Sequence, residues 1–497
     1  MKITKLLALI LVFCMLSSLL LSCEQEATET DSETTTETTT TKKTTQSSNK
    51  KPTANYDKEL PKTPANLPLY NGKDFTFKDF SLGQGSVMHI AAMTNVDEYN
   101  GYLGALEDAG YDFYANNEIG DNLYATYVNE THILNIVYVK FYEQTRVICD
   151  ERSRFDLPGL ESENEIVTSS EPSLTLLSDD AVGWPGRMGY IYKLSNGKFF
   201  IIDGGYTQTG GHGNSSKDYI MATLEKYADD PDNIVIDTWL ITHTHSDHLG
   251  GFIDMAYDSA IKEKVTVERV IHNTPSEYML AKQDIGDNGV STMPRWGDNF
   301  MAALMMWNPD KIVKAHPGQV FYMNDLKLTI YTSQDLILGA PIAGVAQQVV
   351  YQSLSTHNDT CIVSMVEFQG KTALYLADSH SLSNRYVLDP VYNTSLQADI
   401  VQVAHHGYGD TSAGLVYQHI SPSMVFWPVC KQHYDGLNHD GSIYYERGSA
   451  YTGVMYVGFN QEYLFGEGVV HYYHGGTCIT FSDFETWEGV RWDAIPD

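Results

Sequence analysis

Cysteine is scarce in this chain, with six residues in 497 and no Cys-x-x-Cys pair among them. That excludes thiolate zinc knuckles and thioredoxin-type redox motifs. After Cys14 and Cys23 only Cys149, Cys361, Cys430 and Cys478 remain, and their wide spacing suits either disulfides of an exported protein or four buried thiols. Basic charge is also short: 32 Lys and Arg stand against 63 Asp and Glu, a net charge of −31. Lys2 and Lys5 contribute +2 and residues 24–55 contribute −2, so the whole deficit sits in residues 56–497. An acidic body of this kind does not gather polyanions by its field, which disfavours long nucleic acid as a partner. The apolar run Leu6 to Leu21 is too short for a comfortable membrane span.

Against these absences stands one concentrated stretch, Thr242-His243-Thr244-His245-Ser246-Asp247-His248-Leu249-Gly250-Gly251. Four metal-ligand side chains fall within six residues, directly after the apolar run Ile234 to Ile241. That run, rich in β-branched and aromatic residues, predicts a buried strand. The ligands then leave its carboxyl end, where open α/β sheets place their chemistry. His243 and His245 are two apart and face the same way in extended chain, while Asp247 and His248 reach a second point as the chain turns. Imidazole with carboxylate and no thiolate suits zinc, with manganese or iron also possible ions. The bland alternative, a histidine-rich surface loop in a chain with 17 histidines, does not account for so dense an array.

The array resembles the signature of the metallo-β-lactamase fold, and the rest of the chain continues the likeness. Asp203-Gly204-Gly205 ends a strand before the motif; His357-Asn358-Asp359-Thr360 precedes another; Asp378 ends a third; His405-His406-Gly407 ends a fourth. The Asn-Asp-Thr and Val-Ala-His-His-Gly segments look most like the hydrolase domain of the competence, or DNA-internalisation, proteins. The resemblance covers roughly residues 175–480 and implies a four-layer αββα sandwich. It implies two divalent ions, zinc foremost: His243, His245 and His357 would hold one, Asp247, His248 and His406 the other, and Asp378 would bridge them. Asp203 would brace the ligand loop, and His405 would support the site or contact substrate. Two cations bring a shared water towards neutrality and supply hydroxide as nucleophile, with Asp247 as the catalytic carboxylate that orients it. Two departures, Gly183-Trp184-Pro185-Gly186 and Ser379-His380, bear on substrate class more than on metal binding.

The implied activity is hydrolysis of a phosphoester or phosphodiester, because Asp378 stands where some lactam-hydrolysing relatives carry cysteine. Hydrolysis of a lactam, lactone or thioester on the same ions, a nuclease, and a non-enzymatic tethered metal-containing binding protein are the alternatives. Met1 to Cys23 reads as a targeting segment whose Leu20-Leu21-Ser22-Cys23 resembles a bacterial lipoprotein box. The resemblance implies Cys23 as lipid-attachment site and a location on the outer cell surface, with the membrane touched through that anchor alone.

Domain organisation follows composition. Residues 24–55 are Thr, Ser, Glu and Lys with hardly an apolar side chain, and read as a disordered tether. Residues 56–173 alternate as a strand (87–92), a helix (96–109) and three further strands, a small α+β domain without recognisable chemistry. Residues 174–497 carry the metal motif. Within them, 255–350 read as a long insert whose Met- and Trp-rich run Phe300 to Trp307 is core or, less favoured, the wall of an apolar pocket.

Overall fold

The computed structural model describes residues 63–177, 187–207, 215–275, 293–342, 357–407 and 411–429, with strand segments at 443–445, 455–457, 469–473 and 478–480. Cys23, the 24–55 segment, the Gly183–Gly186 stretch, His433, His439 and His474 lie outside the described residues. The first part is a six-stranded sheet: β1 (Phe77–Gly83), β2 (Ser86–Ala92), β3 (Asp112–Ile119), β4 (Asn122–Val128), β5 (His132–Val139) and β6 (Gln144–Glu151), in the order β1-β2-β6-β5-β4-β3. Two of these strands, β1 and β3, were not expected. Their polar residues, such as Asn116, Asn117 and Glu118, blur the two-residue alternation of an edge strand.

Helix α1 (Val96–Asp108) crosses one face of that sheet. It starts on a capping box, with the Asn95 side chain accepting from Glu98 N–H and the Glu98 carboxylate accepting from Asn95 N–H. Its buried Tyr99, Tyr102 and Leu106 pack on Leu134, Ile136 and Val147. The other face, through Leu82, Met88, Ile90, Tyr124 and Ile148, is continuous with the core of the second part.

That second part is a pair of seven-stranded sheets. The first holds β7 (Ser173–Leu176), β8 (Tyr190–Lys193), β9 (Phe199–Ile202), β10 (Ile234–Ile241), β11 (Val265–His272) and β12 (Lys311–Lys314). The second holds β13 (Val320–Met323), β14 (Leu326–Thr332), β15 (Val363–Phe368), β16 (Lys371–Tyr375), β17 (Ile400–Gln402) and β18 (Met424–Trp427). A separate pair, β19 (Ile443–Tyr445) with β20 (Met455–Val457), follows. Then β21 (Val470–Tyr473) joins β18 and β22 (Cys478–Thr480) joins β7. The orders are β12-β11-β10-β9-β8-β7-β22 and β13-β14-β15-β16-β17-β18-β21.

Each sheet is an antiparallel meander that passes into a parallel run: β9, β10, β11 and β12 are parallel, as are β16, β17, β18 and β21. Their inner faces share one core, with Tyr190, Phe200, Leu240 and Ile271 set against Leu328, Val366, Tyr375 and Phe426. Each such side chain, fully buried, contributes about 1.5–3 kcal/mol. Helices α2 (Ser216–Tyr227), α3 (Ser246–Ala256), α4 (Ser259–Lys264) and α5 (Met293–Trp307) cover the first sheet's outer face. The π-helical segment Asn384–Tyr392 and the turn Gly414–Tyr417 cover the second. The architecture is therefore the expected αββα sandwich preceded by an α+β sheet.

The 255–350 segment is not an insert. It supplies β11 to β14, α4 and α5, so both sheets would be incomplete without it. Its strands carry no ligands, which hid them from a motif-led reading. In α5, Phe300, Ala303, Leu304 and Trp307 are buried against Trp239 and Phe252, so that face of the run is core, while Met305 on the other face is exposed.

Candidate metal centre

The parallel runs place the chemistry. In the first sheet the last meander strand, β9, ends at Asp203, and the adjacent β10 ends at the histidine array. In the second sheet the last meander strand, β16, is followed by Asp378, and the adjacent β17 by His405 and His406. The same topological position in two facing sheets thus delivers a carboxylate and a histidine pair to one edge of the sandwich.

Two groups of donor atoms meet there. Asp247, His248, Asp378 and His406 form one; His243, His245 and Asp378 form the other; within each the donor atoms lie within 4.8 Å of one another. Asp378 belongs to both. Its Oδ2 is 3.2 Å from His248 Nε2 and 3.8 Å from His243 Nε2, and its Oδ1 is 3.6 Å from His406 Nε2. The Asp247 carboxylate is 3.2 Å from His406 Nε2. His357 sits outside the tight groupings, its ring parallel to that of His245 at 5.8 Å. His405 faces Asp378 Oδ2 at 3.8 Å and the Asn358 side-chain amide at 3.1 Å.

The outward nitrogens of the rings are tied down. His406 Nδ1 donates to the Pro428 carbonyl at 2.7 Å, and His248 Nδ1 to Asp203 Oδ2 at 2.7 Å. His357 Nδ1 meets Thr244 Oγ1 at 2.7 Å, and His243 Nδ1 meets Thr242 Oγ1 at 3.1 Å. Partners of this kind set the tautomer and leave Nε2 as the inward donor. Nε2 of His243, His248 and His357 and Oδ1 of Asp378 are buried and make no hydrogen bond. Buried polar atoms of that sort are costly unless something polar fills the space between them, and a lone-pair set of imidazole and carboxylate fits a divalent cation. The residues fit the ions that the sequence implies.

Electrostatics agree with a cation site. Burial pushes His357 down to about 3 and, together with neighbouring His248 and His245, holds His243 well below the usual histidine range. Burial would also depress His248, but the carboxylates of Asp378, Asp203 and Asp247 outweigh it and raise its pKa. Burial would raise Asp378, yet His248, His406 and His405 keep it well below the carboxylate range.

Asp203 was expected to brace the loop, and it is wholly buried. It accepts from Thr242 N–H at 2.9 Å, from the Thr242 hydroxyl at 2.8 Å and from His248. Asp203→Asn removes the charge that His248 Nδ1–H points at, and should weaken metal binding by about 10–100-fold in a competitive chelator titration. An unchanged affinity would show that the loop is held by packing alone.

Gly250 and Gly251 lie inside α3, which begins at Ser246, so Asp247 and His248 occupy its first turn. The Gly204–Tyr206 segment crosses this turn, with Gly250 N–H donating to Gly205 O at 2.6 Å and Gly251 N–H to Gly204 O at 2.9 Å. A Cβ on Gly250 would stand 2.1 Å from the Thr207 nitrogen, which no rotamer relieves. Gly250→Ala should cost at least about 1–3 kcal/mol of unfolding free energy in urea, with metal binding weakened in parallel. Four non-glycine residues at the site, Asp203, Ala377, His405 and His406, have φ between 46° and 57°. Strain of this kind, on the order of 1 kcal/mol each, gathers where a side chain must be aimed rather than packed.

Sequence reasoning missed Thr242, Thr244, Asn358 and the Pro428 carbonyl. The two threonines alternate with the ligands inside the motif, which was the one available signal. Cys361, also missed, is buried beside Asp378, and burial holds its thiol well above the usual range, unlike a ligand thiolate. Cys149 is likewise a buried free thiol.

No protein-family model matches the chain, and no curated protein does. Solved structures that resemble it include CmlA, a diiron beta-hydroxylase from Streptomyces venezuelae, at 16% identity over 52% of this chain and 45% of that one, with a TM-score of 0.29. The subclass B3 metallo-beta-lactamase MEM-A1 from a soil metagenome library gives 14% identity, 51% and 84% coverage, and a TM-score of 0.26. A metallo-beta-lactamase with a HARLDQ motif from Cronobacter sakazakii gives 15%, 47% and 78%, and 0.25. The chain spans less than half the length of CmlA. No residue role is taken from likenesses at this level.

Proposed function

We propose that this chain is a metal-dependent hydrolase of the metallo-β-lactamase superfamily that cleaves phosphoesters, foremost phosphodiesters, at the outer face of a bacterial cell. The observation that carries the reading is the pair of buried donor groups sharing Asp378. On this reading His243, His245 and His357 hold one ion, and Asp247, His248 and His406 the other. When bound, two such cations, zinc first among them, bring water to a reactive protonation state and offset negative charge on the group under attack.

The chain's own residues supply the rest. Asp247, with a side chain 17% exposed, is the carboxylate of the cluster that reaches solvent, and it accepts a proton from the attacking water and orients it. His405 and Asn358 lie together beside Asp378 and offer donors to the non-bridging oxygens of a phosphoryl group. The buried floor excludes bulk water and keeps these dipoles fixed. Cys23 would carry the lipid anchor, and residues 24–55 would hold the folded body off the membrane.

The test is turnover of bis(p-nitrophenyl) phosphate by the full chain with added zinc or manganese, beside a chromogenic lactam. Phosphodiester turnover is expected. A protein that binds metal yet cleaves only the lactam would replace the substrate class and keep the site. One that binds metal and cleaves neither would end the hydrolase reading.

A further inference from the structure

The edge strand of the six-stranded sheet, β3, and the edge strand of the second sandwich sheet, β13, flank a hollow of about 330 Å³. A second hollow of about 270 Å³ continues on the far side of Tyr322 and Pro158–Leu160, which line both. Together they form a two-chamber groove with one tyrosine ring at its waist. Neither lining includes a residue of the metal cluster. Volumes of this order belong to small-ligand pockets, about 300–1,000 Å³.

We propose that this groove binds a short stretch of neutral, hydroxyl-rich glycan. The first chamber is lined by the amide residues Asn117, Asn135 and Gln319 and by Tyr114 and Tyr322. An amide donates and accepts at one place, as a sugar hydroxyl does, and an aromatic face covers the C–H side of a pyranose ring.

The second chamber is mixed in charge but acid-rich. Glu163 and Asp310 stand with an Asp237–Arg269 pair at 3.0 Å, with Glu268, which pairs with Lys198 at 2.8 Å, and with Lys311. Carboxylates accept from vicinal hydroxyls, and the excess of negative charge repels an anionic chain, so phosphorylated or uronic polymers are the wrong ligand.

The floor is built before any ligand arrives. Asn135 Oδ1 accepts from Thr126 Oγ1 at 3.2 Å and from Gln319 Nε2 at 3.3 Å, and Asn117 Nδ2 donates to Gly318 O at 3.1 Å. Gly318 has φ +85°, and a Cβ there would lie 2.0 Å from the Tyr124 ring, so the turn that forms the wall is pressed onto β4 and cannot swing. Walls already fixed lower the entropy lost on binding.

Maltotriose, cellotriose and chitotriose are the neutral probes, with a lysine-rich peptide as the rival, each titrated calorimetrically into the full chain. Saturable binding of at least one trisaccharide is expected. It should weaken at least about tenfold in Tyr322→Ala and in Asn117→Ala, and persist in Tyr322→Phe, which keeps the ring. Phosphodiester turnover should be the same in all three variants, since none touches the metal cluster. No saturable trisaccharide binding, binding that survives Tyr322→Ala in a folded protein, or binding of the peptide alone would each overturn the proposal.

Discussion

Replacing Asp378 by alanine should remove phosphodiester turnover, lowering kcat/KM by at least about 10³-fold, roughly 4 kcal/mol of transition-state stabilisation. The size follows from its place. Asp378 is the one carboxylate common to both donor groups, within 3.2–3.8 Å of His243, His248 and His406. If the site holds two ions as proposed, each would lose its only shared negative ligand, and elemental analysis should find bound metal falling from two ions per chain to one or fewer. The fold should survive. His248 keeps Asp203 as partner at 2.7 Å, and His406 keeps Asp247 and the Pro428 carbonyl. Asp378→Asn keeps the volume and removes the charge, and should match alanine in activity. Turnover that persists in both, in folded protein, would sink the assignment of the site.

The legible part of this molecule was the part whose meaning is local. His243, His245, Asp247 and His248 lie in one short run after an eight-residue apolar strand, so their convergence follows from chain geometry. Asp378 and His406 were readable because each follows an apolar strand, and the topology does put those strand ends opposite the first array. His357, on a short helical turn, had only its order along the chain to recommend it, and it is the candidate ligand that lies farthest out. What escaped was non-local. Strands β11 to β14 are without ligands, and only their pairing with β10 and β15 shows that they complete both sheets. Thr242 and Thr244 matter through atoms supplied by Asp203 and His357, from 39 and 113 residues away.

The same holds for a buried clasp between the six-stranded sheet and the sandwich, where the second large effect is expected. His316, just past β12, sits between two carboxylates: Nδ1 is 2.6 Å from Asp335 Oδ2, and Nε2 is 2.7 Å from Asp150 Oδ2. Asp150 belongs to β6 and Asp335 to the helical turn Gln334–Ile337, so the imidazole joins the two parts. Lys314 donates to the Leu82 and Gly83 carbonyls at 2.8 Å, and Arg146 to those of Leu336 and Leu338 at 2.9 and 2.8 Å. All of these side chains are buried. Asp150→Ala would leave His316 and Lys314 facing one carboxylate, and should cost about 3–5 kcal/mol in urea unfolding.

The clasp also fixes a pH dependence. Burial alone would lower His316, but Asp150 and Asp335 outweigh it and hold its pKa at about 9, against 6.5 for an ordinary histidine. Its contribution, on the order of 3 kcal/mol, is therefore complete below pH 6.5 and lost as pH rises through 9. Lys314 runs the other way: burial lowers it from 10.5 to about 8, so its cost is relieved between pH 8 and 10.5. The two slopes cancel from 8 to 9, which confines the net loss of stability from this clasp to pH 6.5–8. Histidines at the metal site titrate too, so the measurement is a comparison: metal-free wild type against His316→Gln, unfolding free energy at each pH. The wild type should lose more stability than the variant across that window. Parallel curves would mean that His316 is neutral in the fold.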